Sequence, residues 1–199
     1  FSVEMNYNSN AIEGNTLTLR ETALVLQQGL TIKGKPLKDH IEVKNQARAI
    51  EYLYDVVDSK KNIPLSEILI RNLHELMVQN IDGAEAGSYR TYDVRITGSK
   101  HIPPPAFDVP NKMQDLISWY KKKEDSLDII TLAAELKHRF VSIHPFGDGN
   151  GRVSRLLLNI ILMKKGYPIV VILKNDRMKY YRALQKADKG NTEDVIFFI

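Results

Sequence analysis

His144-Pro145-Phe146-Gly147-Asp148-Gly149-Asn150-Gly151-Arg152-Val153-Ser154-Arg155 is the stretch on which the reading of this chain turns. It reads as a loop feeding a helix N-terminus. Its three glycines permit positive φ, so successive N–H groups can turn inward as a nest for an anion. The dipole of the helix that follows reinforces that nest. Arg152 and Arg155 are three apart and share one face of the first helical turn. Two guanidinium forks at an anion nest suit a polyphosphate better than a carboxylate. Asp148 offers the hard oxygen that Mg²⁺ takes when it also binds phosphates. His144 stands just before the loop, where an imidazole can act as a general base near neutral pH. Two common alternatives fail on spacing. No Gly-Lys-Ser/Thr follows the glycines, so this is not a Walker A loop. Arg152 and the lack of a closing Glu exclude an EF-hand.

Outward from this loop the pattern is helical. Downstream, Val153 to about Lys165 is apolar almost all round, as expected of a helix in the middle of a bundle. Immediately upstream, Ile129, Leu132, Ala133, Leu136, Phe140 and Ile143 recur at helical spacing. Thr18 and Glu21 have capping-box spacing and open a helix toward Gln28. Asp39 is expected to open a longer one, with Ile41, Ala47, Ile50, Leu53, Tyr54 and Val57 inward. Another follows Pro64, with Ile68, Leu69, Leu73, Leu76 and Met77 inward. Asp108 and Pro110 start a further helix, striped by Met113, Leu116, Ile117 and Tyr120. Short helices are expected around Met178 to Ala187 and from Thr192 onward. Between Ser88 and His101 the sequence alternates around a Gly98-Ser99 turn and ends on Pro103-Pro104-Pro105, which predicts a β-hairpin. The fold class is therefore mainly α with one hairpin. At the other end of the chain, Ser9 and Glu13 are four apart and predicted on one helical face, with Gly14 as the stop.

The composition is that of an ordinary soluble domain: 199 residues, 43% apolar and 26% charged. With no cysteine, disulfides, thiolate chemistry and cysteine-held zinc are excluded. No apolar run approaches a bilayer span and no signal peptide is visible, so the expected location is cytoplasmic, with no membrane partner. A net charge of +4 gives no support for nucleic acid. The chain opens on Phe1 rather than Met and closes on the apolar Val195-Ile196-Phe197-Phe198-Ile199 without a stop signal. It is expected to be a piece truncated at one or both ends.

The glycine-rich stretch resembles the Fic-domain signature, His-Pro-Phe-x-Asp/Glu-Gly-Asn-Gly-Arg-x-x-Arg, at every specified position. Ser9 to Leu19, Ala86-Gly87-Ser88-Tyr89-Arg90-Thr91 and His101-Ile102-Pro103-Pro104 extend the resemblance over nearly the whole chain. They resemble the branch that has an animal endoplasmic-reticulum member and many bacterial ones. The resemblance implies one Fic-fold helical domain over residues 1–199, with an N-terminal inhibitory segment at about 5–15 and a flap at about 88–102. It implies a protein adenylyltransferase that uses ATP and Mg²⁺ to place AMP on a Ser, Thr or Tyr hydroxyl of a target protein. It also allows self-modification and a homodimer.

The same resemblance implies the residue roles. His144 deprotonates the hydroxyl and Asp148 holds Mg²⁺. Gly149, Asn150 and Gly151 form the anion hole for the α and β phosphates. Arg152 takes the outer phosphates and Arg155 the γ phosphate. Gly151 stands where a phosphate-transferring member has Lys, which favours AMP transfer. Ser9 and Glu13 match the inhibitory motif, which implies that Glu13 pairs with Arg155 and blocks its grip on ATP. Tyr92, Val94 and Ile96 fall in the flap, Val94 as the clamp over the target. Tyr180 and Tyr181 fall at the adenine wall. Asp188 stands where relatives often have Asn reading the base. Other readings in view are transfer of UMP or phosphocholine, removal of AMP with Glu13 positioning water, and a regulatory binding protein with its Fic core switched off.

Overall fold

The fold was analysed in a computed structural model that describes residues 2–61 and 63–199. Its helices are α1 Ser2–Ile12, α2 Leu19–Gln28, α3 Leu37–Val57, α4 Glu67–Val78, α5 Val109–Lys123, α6 Ile129–Ile143, α7 Asn150–Lys164, α8 Arg177–Ala187 and α9 Glu193–Phe197. Short 3₁₀ turns at Ala106–Asp108 and Lys174–Asp176 lead into α5 and α8. The expected capping box is present: the Glu21 N–H bonds to the Thr18 hydroxyl and the Thr18 N–H to the Glu21 carboxylate.

Helix α7 is the axis of the bundle. It packs most extensively on α6 and also against α3 and α4. Twelve of its residues are buried, from Asn150 through Leu162, as its all-round apolar character requires. Leu73, Met77, Leu136, Phe140, Phe146 and Leu157 belong to the main core around it. Two expected stripes are rotated. On α4, Ile68 points outward at 72% exposure while Ile70 is fully buried. On α3, Tyr54 is 46% exposed, and Val43, Ala49, Ile50, Leu53 and Val56 face inward. The inward face of α3 also carries the buried polar residues Glu42, Asn45 and Gln46. Apolar periodicity does not mark these, and one of them, Glu42, meets Arg152 of the site. Helix α3 also begins two residues before Asp39. The Asp39 carboxylate instead accepts from the Thr16 N–H at 2.8 Å, tying down the chain after α1.

Helix α1 is docked differently from the rest. Its apolar buried residues are Met5, Ala11 and Ile12. Amides do much of the remaining work. Asn6 donates to the Val43 carbonyl at 2.8 Å, Asn8 accepts from the Lys174 N–H at 2.9 Å, and Asn10 donates to Asn6 at 3.0 Å. A helix held this way exchanges its contacts for water at low net cost.

The hairpin is a correction. Among the described residues no strand is formed, and 88–102 runs as an extended loop. The Gly98-Ser99 turn exists, closed by the Ser99 N–H on the Ile96 carbonyl at 3.1 Å. The two arms do not pair, because their polar groups are taken elsewhere. The Arg90 N–H bonds to the Pro145 carbonyl at 2.9 Å, and the Ala106 N–H to the Asp93 carboxylate at 2.7 Å. Gln185 of α8 donates to the Gly98 carbonyl at 2.8 Å, and the His101 ring bonds to the Ser142 carbonyl of α6 at 2.8 Å. Alternation signalled an extended chain, but its hydrogen bonds go to the helical body instead of to a sister strand.

Candidate active site

The loop His144–Gly149 is braced from below. Asn150 is buried, accepting from the Phe146 N–H at 3.0 Å and donating to the Phe146 carbonyl at 2.8 Å. His74 of α4 stacks on Phe146 with ring centroids 3.7 Å apart. Its Nδ1 accepts the Gly87 N–H at 3.1 Å, which leaves Nε2–H to donate to the Asp148 carbonyl at 3.0 Å. The loop is thereby fixed to α4 and to the start of the flap segment. Helix α7 begins at Gly149, with φ of 79°, and its first intrahelical bond is the Val153 N–H on the Gly149 carbonyl. The N–H groups of Asn150, Gly151 and Arg152 therefore remain at the helix mouth for an anion.

Burial pushes the His74 ring down to about 4. The unfolded chain binds a proton at this residue near 6.5. Between those values the unfolded state holds more protons, so stability rises with pH and is lost as pH falls from 6.5 toward 4. Denaturant unfolding at pH 7 and pH 4.5 is expected to show a loss on the order of a few kcal/mol. His74→Phe should lose less over the same interval. An equal loss in both proteins contradicts this placement of the proton.

His144 closes α6 in the left-handed region, with φ of 50° and ψ of 59°. This turns its side chain out of the helical path. Burial depresses its imidazole below the ordinary value, partly offset by the Val141 carbonyl, and Arg90 lowers it further. A neutral ring at neutral pH is the form a base needs. Arg90 holds its backbone: Nε donates to the His144 carbonyl at 2.8 Å and the guanidinium also binds the Tyr92 carbonyl at 3.0 Å. One buried arginine thus joins the histidine to the flap.

Asp148 is exposed at the loop tip. Burial alone would raise its carboxyl, but Arg152, the Gly149 N–H and Lys38 outweigh this and hold it below the usual range. Its Oδ2 lies 3.4 Å from Arg152 and 3.8 Å from Lys38. Arg152 is buried and held from the other side by Glu42 of α3 at 3.2 Å. Glu42 in turn accepts from Asn15 at 2.9 Å. The described residues contain no cluster of three or more acidic or histidine groups able to cage a metal. A single solvent-facing carboxylate suits Mg²⁺, which takes one or two carboxylates together with phosphates.

Arg155 is 4% exposed and held through its Nε and Nη2 by the N-terminal segment. Its Nε donates to the Ser9 hydroxyl at 3.0 Å, and its Nη2 to the Ser9 carbonyl and the Glu13 carboxylate, each at 2.8 Å. Burial works against its charge, but Glu13 more than compensates and raises its proton affinity. Glu13 sits in the turn just past α1, where Gly14 takes φ of 104°. Its Oε1 lies so close over Gly151 that a Cβ there would clash with it. The Glu13 carboxylate thus fills space directly above the helix mouth.

Tyr180 is buried with Ile12 and Ile172, and Tyr181 is half-buried, donating to the Ile12 carbonyl at 3.2 Å. Asp188 accepts from or pairs with His138 at 3.0 Å and meets the Ser99 hydroxyl at 3.5 Å. Val94 and Ile96 are half-buried in the flap loop and Tyr92 is exposed. The structure therefore gathers His144, Asp148, Asn150, Gly151, Arg152, Arg155, Ser9 and Glu13 at one place. Arg90, His74, Glu42, Lys38 and Lys137 were given no role from sequence. The signal for His74 was a histidine on an apolar face, which is more often structural.

The Fic/DOC family profile matches residues 64–162. Over 97% of its length the chain is 38% identical to the protein adenylyltransferase Fic of Drosophila virilis and to that of Drosophila melanogaster. It spans 39% of the length of these curated relatives. A Fic-domain-containing signaling protein from Bacteroides thetaiotaomicron superposes with a TM-score of 0.87 at 36% identity, over 98% of this chain and 76% of that one. Fic-1 from C. elegans superposes with a TM-score of 0.90 at 32% identity, over 98% of this chain and 58% of that one. The chain belongs to the Fic family. Among the described residues no helix is long and apolar enough to cross a membrane.

Proposed function

We propose that residues 1–199 form one domain that transfers AMP from ATP to a protein hydroxyl and is held back by its own Glu13. The observation that carries this reading is the convergence on one helix mouth of His144, Asp148, the free N–H groups of α7 and two buried guanidiniums. The Drosophila relatives are named for adenylyl transfer, and the chemistry of the site suits it. The α and β phosphates would lie against the N–H groups of Asn150, Gly151 and Arg152, the Gly149 N–H being held by the Asp148 carboxylate at 2.6 Å, with the Arg152 and Arg155 guanidiniums on the outer phosphates. His144 would take the proton of a target Ser, Thr or Tyr as its oxygen attacks the α phosphorus. That O–P bond forms as the α–β bridging bond breaks, and pyrophosphate leaves. Positioning and charge neutralisation supply most of such catalysis. Asp148 would hold Mg²⁺, which when bound neutralises charge on the phosphates.

Tyr181, near the end of α1, would border the adenine and Asp188 would face its edge. The extended flap loop, with Tyr92, Val94 and Ile96, would present the target segment to His144. Self-modification and a homodimer belong to the same proposal, as does a cytoplasmic location. Labelling with ATP carrying ³²P at either the α or the γ position tests the reaction type. Retention of the α label and loss of the γ label on protein is expected. Retention of the γ label would show phosphate transfer instead, and label from UTP in preference to ATP would show another nucleotidyl donor.

Asp148→Ala is expected to abolish Mg²⁺-dependent transfer while weakening ATP binding less, because the N–H groups and both arginines remain. Transfer rates in Mg²⁺ and in EDTA, with ATP affinity by calorimetry, check this. Equal transfer with and without chelator defeats the assignment.

A further inference from the structure

Lys137 lies on α6, seven residues before His144 in the chain. It is 1% exposed, and its ammonium makes no hydrogen bond. Its Nζ stands 4.3 Å from the centroid of the Tyr180 ring. The charged and titratable groups facing it are Arg155 from α7, Glu13 from the turn after α1 and Tyr180 from α8, with His138 next to it on α6. A buried amine without an acceptor costs stability, and a methionine would fill the same space without that cost. The explanation for a lysine here therefore lies in the charge of the pocket.

The single negative charge of Glu13 balances the single positive charge of Arg155. That pair leaves the pocket neutral if Lys137 carries no proton. Burial and then Arg155 lower its proton affinity from 10.5 to about 7, and Glu13 only partly offsets them. A terminal phosphate carries close to two negative charges at neutral pH. Placed beside Arg155 in the position of the Glu13 carboxylate, it brings about one more negative charge to the pocket than the carboxylate does.

We propose that Lys137 is a second, proton-gated cation of this pocket, neutral beside the Glu13–Arg155 pair and protonated when the terminal phosphate of a nucleoside triphosphate replaces Glu13. The inference rests on the nucleotide reading of the site. The proton comes from solvent, and no covalent bond to the lysine is made or broken. The residue thereby favours a doubly charged terminal group over a singly charged one. Because binding takes up a proton, affinity for the triphosphate falls as pH rises above about 7.

Calorimetry of ATP and AMP binding at pH 8, in two buffers of different ionisation enthalpy, counts the protons exchanged. In a Glu13→Gly background the chain is expected to take up close to one proton more per ATP than the same chain with Lys137→Met. AMP, which lacks the outer phosphates, should show no such difference. Equal proton counts for ATP in the two chains, or the same difference with AMP, overturn the proposal. Absence of ATP binding in both chains overturns the nucleotide reading and this inference with it. The resting state has its own readout. An unfolded lysine keeps its proton to about 10.4, so between pH 7 and 10 the folded state holds fewer protons. Stability should rise with pH, by up to tenfold in the folding constant per pH unit relative to Lys137→Met. The same pH dependence in both chains overturns the neutral resting state. If Lys137→Met does not fold, Lys137→Gln serves in both measurements.

Discussion

His144→Ala is expected to reduce AMP transfer by about 10²-fold or more while the fold persists. The residue closes α6 at a loop mouth, and what holds it there is backbone. Its N–H bonds to the Phe140 carbonyl at 3.1 Å and its carbonyl accepts from Arg90 at 2.8 Å. Alanine keeps both bonds. It also keeps the left-handed backbone, whose strain, of order 1–3 kcal/mol, is present with histidine too. What disappears is the ring that burial keeps neutral near neutral pH, the form in which it can accept a proton. The target hydroxyl would then surrender its proton only to water. A thermal melt near that of wild type together with lost transfer of α-labelled AMP is the expected pair of results. Wild-type transfer by the variant removes His144 from the mechanism.

Much of the site was legible in the sequence because it is local. His144 through Arg155 is one continuous loop and helix turn, so glycine placement and the spacing of the two arginines already define an anion site. The pairing of Glu13 with Arg155, far apart in the chain, followed from the family resemblance instead, and Ser9 joins it. Most helices were found within a few residues, since their capping and periodicity are local signals. What the sequence did not disclose depends on long-range pairing. The inward face of α3 includes polar residues that apolar periodicity does not mark: Glu42, which meets Arg152 at 3.2 Å, Asn45, which donates to the Gln79 carbonyl at the end of α4 at 2.7 Å, and the buried Gln46. The flap carried the alternation of a strand, but whether an extended segment pairs with itself depends on competing acceptors. Here Pro145, Asp93 and α8 compete successfully. Arg90 could not be assigned a role without seeing that the His144, Tyr92 and Pro104 carbonyls converge on it.

Glu13→Gly is expected to have the opposite effect to His144→Ala, raising transfer about 10- to 100-fold. The estimate follows from competition for one guanidinium. A hydrogen bond to a charged group is worth about 1.5–3 kcal/mol, and each 1.4 kcal/mol is about tenfold. Glu13 holds Arg155 at 2.8 Å, with side chains 32% and 5% exposed, so the pair is more protected than an open surface ion pair. Removing the carboxylate leaves Arg155 to the Ser9 hydroxyl and carbonyl alone and clears the space over Gly151. The γ phosphate can then take the guanidinium, and the α phosphorus can come into line with the attacking oxygen. Arg155→Ala should not mimic this variant, because it removes the same contact that the active pose needs.

The most direct test of the account is the rate at which α-labelled AMP is incorporated at saturating ATP and Mg²⁺ by wild type and by Glu13→Gly, side by side. The account predicts slow incorporation by the wild type despite bound ATP, and a rate at least tenfold higher in the variant. A Glu13→Gly rate equal to or below that of wild type would contradict it.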